Sequence, residues 1–223
     1  MEFCIADLET SYLSEQMQAG AMNSDFPASP LEYVLSLITK TVRKDYEMLM
    51  WQGDTTSLNP TLALCDGFLK VLAADPNTIP VANVALTAAN IVAELTKIYN
   101  SIDDCIMDDS ELKLYMPIGT KKMLRQAIAA SPSQVNNLGI GLVGNDDFDF
   151  FGIPIIFTSG IPADTIVATT VWNLWVGCDL VQDIDEVKVL NFSNTKGDDV
   201  IAVKGRFFSG VQVYDGKYAV LYS

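Results

Sequence analysis

Acidic side chains occupy most of the positions at which this chain could do chemistry. Asp103, Asp104, Asp108, Asp109 and Glu111 crowd one short stretch and could offer oxygen ligands to a hard cation such as Ca²⁺. The stretch lacks a D-x-[DN]-x-[DN]-G loop and follows a predicted helix whose C-terminal end disfavours anions, so it reads as a solvated acidic face without a metal. Asp146, Asp147 and Asp149 raise the same question and receive the same reading. Asp179, Asp183, Asp185 and Glu186 could supply the two carboxyl groups of a glycoside hydrolase, which stand about 5–9.5 Å apart across the sugar. With 28 acidic residues in the chain, some such pair arises by chance. Gly139, Gly141 and Gly144 match the G-x-G-x-x-G dinucleotide pattern. That pattern must follow a strand and open a helix, whereas here it follows Ser131-Pro-Ser-Gln-Val-Asn-Asn-Leu138 and runs into Asn145-Asp146-Asp147. Trp51, Trp172 and Trp175 could stack on a ligand, but aromatic residues in a strand-rich chain more commonly fill cores or subunit interfaces.

Composition narrows the chemistry further. The chain has no histidine, which excludes Ser-His-Asp and Cys-His nucleophile systems and every histidine-ligated metal site. Its 223 residues are 49% hydrophobic and 19% charged, enough to bury a core of one generous or two small domains. The net charge of −14 repels nucleic-acid phosphate and anionic lipid, so neither sequence-specific nucleic-acid binding nor a membrane partner is expected. Cys4, Cys65, Cys105 and Cys178 are far apart, which predicts free, mostly buried thiols in a reducing compartment. The first twenty residues carry Glu2, Asp7, Glu9 and Glu15 without Lys or Arg, unlike the basic start of a signal peptide, and the expected site of synthesis and residence is a cytoplasm. No catalytic set and no cofactor is predicted.

The elements that would position these residues follow from periodicity. Residues 1–29 read as an arm, because the stretch Gly20 to Pro30 tolerates no regular structure. Ser29-Pro30-Leu31-Glu32 is a capping box, and apolar residues from Leu31 to Met50 recur at helical spacing, predicting a long helix over about 30–50. Gly53 then suggests a left-handed helix stop. A short helix is expected around Phe68–Leu72, a long one over about 83–101, a strand over 112–116 and a helix over 121–130. Residues 131–152 read as a long projecting loop. Strands are predicted at 154–157, 165–168, 187–190, 200–203, 207–208 and 211–214, with turns at Lys196–Asp199 and Asp215-Gly216. Helices first and strands after, without alternation, predict an α+β fold.

Two patterns are least explained by packing alone: Gln52-Gly53-Asp54 and Trp172-Asn-Leu-Trp175-Val-Gly177-Cys-Asp179. Together with Met48-Leu-Met-Trp51, Asp66-Gly67-Phe68-Leu69, Leu112-Lys-Leu-Tyr-Met-Pro117, Thr120-Lys-Lys-Met-Leu124, Gly152-Ile153-Pro154-Ile155 and the closing stretches 206–214 and 218–222, they resemble tailed-bacteriophage major capsid proteins of the Hong Kong 97 type. Asn173 to Leu180 with Asp183-Ile-Asp-Glu-Val187 is similar to capsid proteins of crAss-like gut phages. The resemblance covers about 30–223 and implies a spine helix with peripheral and axial subdomains. It implies a residual arm at 1–29, a peripheral part at 30–116, an axial part at 117–180 with its loop at 131–150, and strands at 181–223 returning to the peripheral part. The chain would lack most of the N-terminal arm and extended loop of the family.

The implied function is a structural subunit, not an enzyme, that self-assembles into pentamers and hexamers of an icosahedral shell around the phage genome. The implied location is the virion capsid, assembled in the bacterial host cytoplasm, with scaffold, portal and protease proteins of the phage as further partners. Trp51, Asp54, Asn145, Asp146, Asp147 and Asp149 are the expected subunit-interface residues. Strong acidity suits a shell that must not stick to its genome. Three alternatives remain open: a carboxylate-based glycan hydrolase, an encapsulin-like nanocompartment shell, and a host-surface binding module whose exposed aromatics would cluster.

Overall fold

The computed structural model describes residues 2–4, 30–130, 140–143, 147–178, 187–191, 200–205 and 209–223. In chain order the elements are β1 (Glu2–Cys4), α1 (Pro30–Gln52), α2 (Phe68–Ala74), β2 (Ile79–Val81), α3 (Ile91–Ser101), β3 (Leu112–Pro117), α4 (Thr120–Ala130), β4 (Ile140–Val143), β5 (Asp147–Phe150), β6 (Ile153–Thr158), β7 (Ile166–Thr170), β8 (Leu174–Cys178), β9 (Val187–Asn191), β10 (Val200–Gly205), β11 (Ser209–Val213) and β12 (Ala219–Tyr222). They fall into two compact units, Met1–Arg43 with Cys178–Ser209, and Lys44–Gly177 with Gly210–Ser223.

The first unit holds an antiparallel sheet in the order β1-β10-β9, with Phe3 opposite Ile201 and Ala202 opposite Leu190. The second unit is organised by a mixed seven-stranded sheet in the order β2-β12-β7-β3-β6-β5-β4. The β2–β12 and β3–β6 pairs are parallel and the other four antiparallel. Because side chains alternate across a strand, β7 and β12 feed two cores, and Tyr115 of β3 packs against the second. Ile166, Ala168, Val220, Tyr222, Leu112, Leu114 and Met116 join one core with Leu95 and Ile98 of α3 and Leu124 of α4. Val167, Ala219 and Leu221 join the other with Met50 and Trp51 of α1, Phe68 and Leu72 of α2, and Ile161. β7 and β12 are therefore buried along their whole length, the pattern of a strand covered on both faces.

The long helix predicted at 30–50 extends to Gln52, and the helices predicted near 68–72 and 121–130 and the strand at 112–116 form within two residues of their expected bounds. Three expectations are corrected. The helix expected from 83 starts only at Ile91, because the backbone before it is held elsewhere. The Tyr222 hydroxyl accepts from the Val84 N–H at 2.9 Å, and the Asp164 carboxylate accepts from the Leu86 N–H at 2.7 Å. Thr87 and Asn90 then cap each other's backbone N–H groups reciprocally, which starts the helical turn. The loop expected at 131–150 contains a hairpin: β4 pairs β5 and β5 pairs β6, so Phe148 and Phe150 point into the core while Asp149 faces the other way. Its polar residues disguised this alternation. Asp215-Gly216 is no positive-φ hairpin turn; Asp215 is extended at φ −152°, and a Cβ on Gly216 would stand 2.6 Å from Asp75 Oδ2 and Thr78 Oγ1. Phe207, Phe208 and the turn at 196–199 lie outside the described residues.

One polar contact ties the sheet to α3. The Tyr222 hydroxyl is 3.1 Å from both the Val84 carbonyl and Glu94 Oε2, while Lys97 closes a 2.7 Å ion pair on Glu94 Oε1. The Lys97 hydrogen bond holds the Glu94 carboxyl below its usual pKa despite burial. Tyr222→Phe leaves the Val84 N–H without its acceptor, and the expected loss is about 1–3 kcal/mol in urea unfolding; an unchanged midpoint would show that this hydroxyl does not hold the 82–90 segment.

Candidate functional site

The end of α1 is built around two glycines. The Gly53 N–H donates to the Leu49 carbonyl at 2.8 Å, and the Gly67 N–H donates to the Gly53 carbonyl at 2.8 Å. Gly152 is the positive-φ glycine among the described residues, so Gly53 is not the left-handed cap its position suggested. It is required by close approach instead. A Cβ on Gly53 would lie 2.5 Å from the Leu49 carbonyl oxygen, and one on Gly67 would lie 2.6 Å from the Gly53 nitrogen and 2.7 Å from the Trp51 carbonyl oxygen.

That contact sets Asp54 and Asp66 side by side. Lys70 Nζ bridges them, at 2.7 Å from Asp54 Oδ1 and 2.6 Å from Asp66 Oδ1. Asp54 Oδ1 also accepts from the Thr56 backbone and hydroxyl, and Asp66 Oδ1 from the Thr55 backbone and hydroxyl. The Lys70 hydrogen bonds, then those of the threonines, hold both carboxyls well below their usual range, and the two carboxylates raise the Lys70 ammonium. The cluster is solvent-exposed, so it orients a turn more than it stabilises the fold. It borders a cavity of about 380 Å³ that Leu69, Pro162, Thr165 and Leu221 also line.

Trp51 turns inward. Its indole packs 5.3 Å from Phe68 and from Tyr115 and is 7% exposed, so it serves the chain's own core. One turn earlier, Glu47 accepts from the Thr158 and Ser159 hydroxyls and the Ser159 N–H, while Gln52 Nε2 donates to the Gly160 carbonyl at 2.6 Å. Burial alone would raise the Glu47 carboxyl, but these donors together bring it below its ordinary value.

A second surface surrounds the β5–β6 hairpin. A cavity of about 390 Å³ lies between Tyr99, Met107, Leu112, Phe151 and the acids Asp108 and Asp109. Asp109 Oδ1 accepts from the Glu111 N–H, and its Oδ2 accepts from the Trp172 indole at 2.8 Å. The indole bond, then the backbone bond, lowers the Asp109 carboxyl, the opposite of the raised acid that a glycoside hydrolase needs. Beyond Asp109, the exposed rings of Trp172 and Tyr214 meet edge to face at 5.9 Å, and Trp175 is 61% exposed.

The other predicted sites are placed as follows. Asp103 caps the Cys105 N–H and pairs with Lys217 at 3.6 Å, so the acidic stretch 103–111 serves its own turns. Asp147 opens β5, and Asp149 Oδ1 is buried without a hydrogen-bond partner. Asn145, Asp146 and the acids Asp179, Asp183, Asp185 and Glu186 lie outside the described residues, as do the glycines Gly139 and Gly144. Cys65 is half-buried and Cys105 exposed, correcting the expectation of buried thiols there; burial raises the first thiol and a hydrogen bond with Asp103 the second, which suppresses their reactivity. The sequence marks Asp66 only as part of the Asp66–Leu69 motif, and it does not mark Lys70 or Glu47. The i,i+4 spacing of Asp66 and Lys70 could have revealed that pair, whereas nothing local marks Glu47.

No protein-family profile and no curated protein matches the sequence. Solved structures do. A chain of the satellite phage P4 procapsid that includes the size determination (Sid) protein superposes with a TM-score of 0.58 at 17% identity, over 100% of this chain and 72% of that one. A chain of the cyanophage A-1(L) capsid asymmetric unit does so with a TM-score of 0.59 at 11% identity, over 100% and 75%. One from Gordonia phage Cozz gives 0.52 at 13% identity, over 100% and 67%. The chain has the Hong Kong 97-type capsid fold. In that fold α1 is the spine helix, and the glycine crossing and the Glu47 clamp are what seat its C-terminal end on the sheet.

Two outcomes follow for this end of the spine helix. Gly53→Ala should lower stability by about 1–3 kcal/mol or more, because the methyl meets backbone on two sides and neither can withdraw; a thermal midpoint equal to the parent's would refute the close approach. Glu47, with its folded pKa depressed, contributes stability above its ordinary value of 4.5 that is lost as pH falls through the folded value. The melting-temperature gap between the parent and Glu47→Gln should therefore be widest near neutral pH and close as the pH falls through the depressed folded value.

Proposed function

We propose that this chain is a structural shell subunit of a tailed phage, one that associates with copies of itself to enclose a genome. The observation that carries the reading is the capsid fold, matched over the whole length of the chain by the P4 and cyanophage capsid structures. A shell subunit acts through shape and surface, and the chain's chemistry agrees: its best-formed polar clusters, Asp54–Asp66–Lys70 and Glu47–Thr158–Ser159, orient backbone turns. Within this reading, residues 30–116 and 181–223 form the peripheral part and 117–180 the axial part. Asp54, Asp147 and Asp149 with Asn145 and Asp146 are proposed contacts between subunits. The similarity of residues 173–187 to crAss-like capsid proteins supports a phage of that group. Capsomers of five and six copies, assembly in a bacterial cytoplasm, and scaffold, portal and protease partners complete the proposal. A net charge of −14 supports a shell whose surface repels the packaged DNA.

Light scattering coupled to size exclusion, followed by negative-stain microscopy of the same fractions, tests the proposal. Rings or closed shells that grow with protein concentration are expected. A monodisperse monomer across the whole concentration series would overturn the self-assembly reading.

A further inference from the structure

The β5–β6 connection joins a strained backbone to an exposed ring. Phe151 has φ 50° and Gly152 φ 84°, the two positive values of a two-residue hairpin turn for which Asn-Gly is the favoured pair. A bulky residue in that region is an outlier whose strain the surroundings must offset. Yet the Phe151 ring is 51% exposed. It packs 4.6 Å from Phe150, which already closes the core, and 5.0 Å from Tyr99, and so forms one wall of the 390 Å³ cavity. Asp108, exposed on the rim, gives this aromatic opening a negative edge. Asp109 is already engaged by Trp172 and Glu111.

The complementary surface is on the same chain. Basic residues are scarce, 14 against 28 acidic ones, yet Lys121, Lys122 and Arg125 gather in the first half of α4. Lys121 stands over the Phe157 ring at 5.6 Å, and Lys122 is exposed. Just before them Ile118 is 60% exposed, held in place by its N–H bond to the Thr158 carbonyl at 3.1 Å. This apolar and basic corner follows the last residue of β3, whereas Leu112, the first residue of β3, lines the cavity. The strand separates the two by roughly 20 Å, so within one subunit they cannot meet.

We propose that they meet between subunits: the Ile118–Lys122 corner of one copy seats in the Phe151 cavity of the next, with Ile118 against the aromatic wall and Lys122 facing Asp108. The two surfaces differ, so the contact is head-to-tail, and repeating it closes a ring when the rotation allows. This rests on the shell-subunit reading and names the surfaces that reading leaves open. It also explains the strained phenylalanine, because an aromatic contact to a neighbour offsets a turn that asparagine would make more easily.

Reciprocal charge reversal tests it in the full chain. Lys122→Glu alone and Asp108→Lys alone should each raise the concentration at which rings form by about tenfold or more, and the double variant should return it to near the parent value. Phe151→Asn should hold or raise the thermal midpoint of the subunit while weakening ring formation. Circular dichroism of each variant confirms that the fold persists. Rings that form equally well in both single variants, or a double variant no better than either, would overturn this contact alone. A Phe151→Asn variant that melts earlier and assembles normally would also overturn it, as the ring would then be local packing. A parent chain that forms no oligomer would overturn the shell reading itself, and this contact with it.

Discussion

β7 and β12 bury every residue, so the centre of the sheet must be covered from both sides at fixed depth. On one side α3 and α4 supply Leu95, Ile98 and Leu124; on the other the end of α1 and α2 supply Met50, Trp51, Phe68 and Leu72. Interiors pack near crystal density, so an ångström of error in any cover opens a void or a clash. The Gly53–Gly67 contact is how the second cover reaches that depth. Without side chains, the two backbones approach to hydrogen-bonding distance, α2 turns back under α1, and Trp51 lands between Phe68 and Tyr115.

Polar groups then hold the covers in register. Glu47 and Gln52 fasten the spine helix to the loop after β6, and Tyr222 with Glu94 fastens β12 to the start of α3. Asn173 is fully buried and fully used: its amide donates to the Thr169 hydroxyl and the Asp215 carbonyl, and its oxygen accepts from the Asp215 N–H. A buried amide with all these partners rigidifies what it joins, whereas the same amide missing one would be costly. These contacts set the exposed residues after β7, including Trp172, on a firm base, and the edge-to-face pair of Trp172 and Tyr214 is displayed from it. Exposed aromatic surface on a rigid base is the usual anatomy of an association site.

The electrostatics agree with this division of labour. Where carboxylates are held below their usual pKa, as at Asp54, Asp66, Asp103 and Asp109, the cause is a neighbouring donor that also orders a turn. No such acid is raised among them, so none is poised to give up a proton at neutral pH. The acidic surplus works as a field over the surface instead, and it gives the few clustered basic residues of α4 their prominence.

The sequence by itself determined the spine helix, α2, α4 and the strands β3, β6, β7, β9, β10 and β11, half of those among the described residues, because capping residues and apolar periods of 3.6 and 2 are local signals that the tertiary fold here respects. It also carried the capsid resemblance in short motifs such as Gln52-Gly53-Asp54 and Asp66-Gly67. What those glycines do was legible only in three dimensions: a turn glycine and a close-approach glycine look alike in one dimension, and only the partner backbone distinguishes them. The late start of α3 depended on Tyr222 and Asp164, which lie far along the chain from the segment they hold. The β4–β5 hairpin escaped because Asp147-Phe148-Asp149-Phe150 alternates within a run of turn-forming residues, and the neighbouring β6 was needed to recruit it. Local propensity wins where a segment's backbone bonds close within it, and tertiary structure decides wherever those bonds are completed by residues distant in sequence.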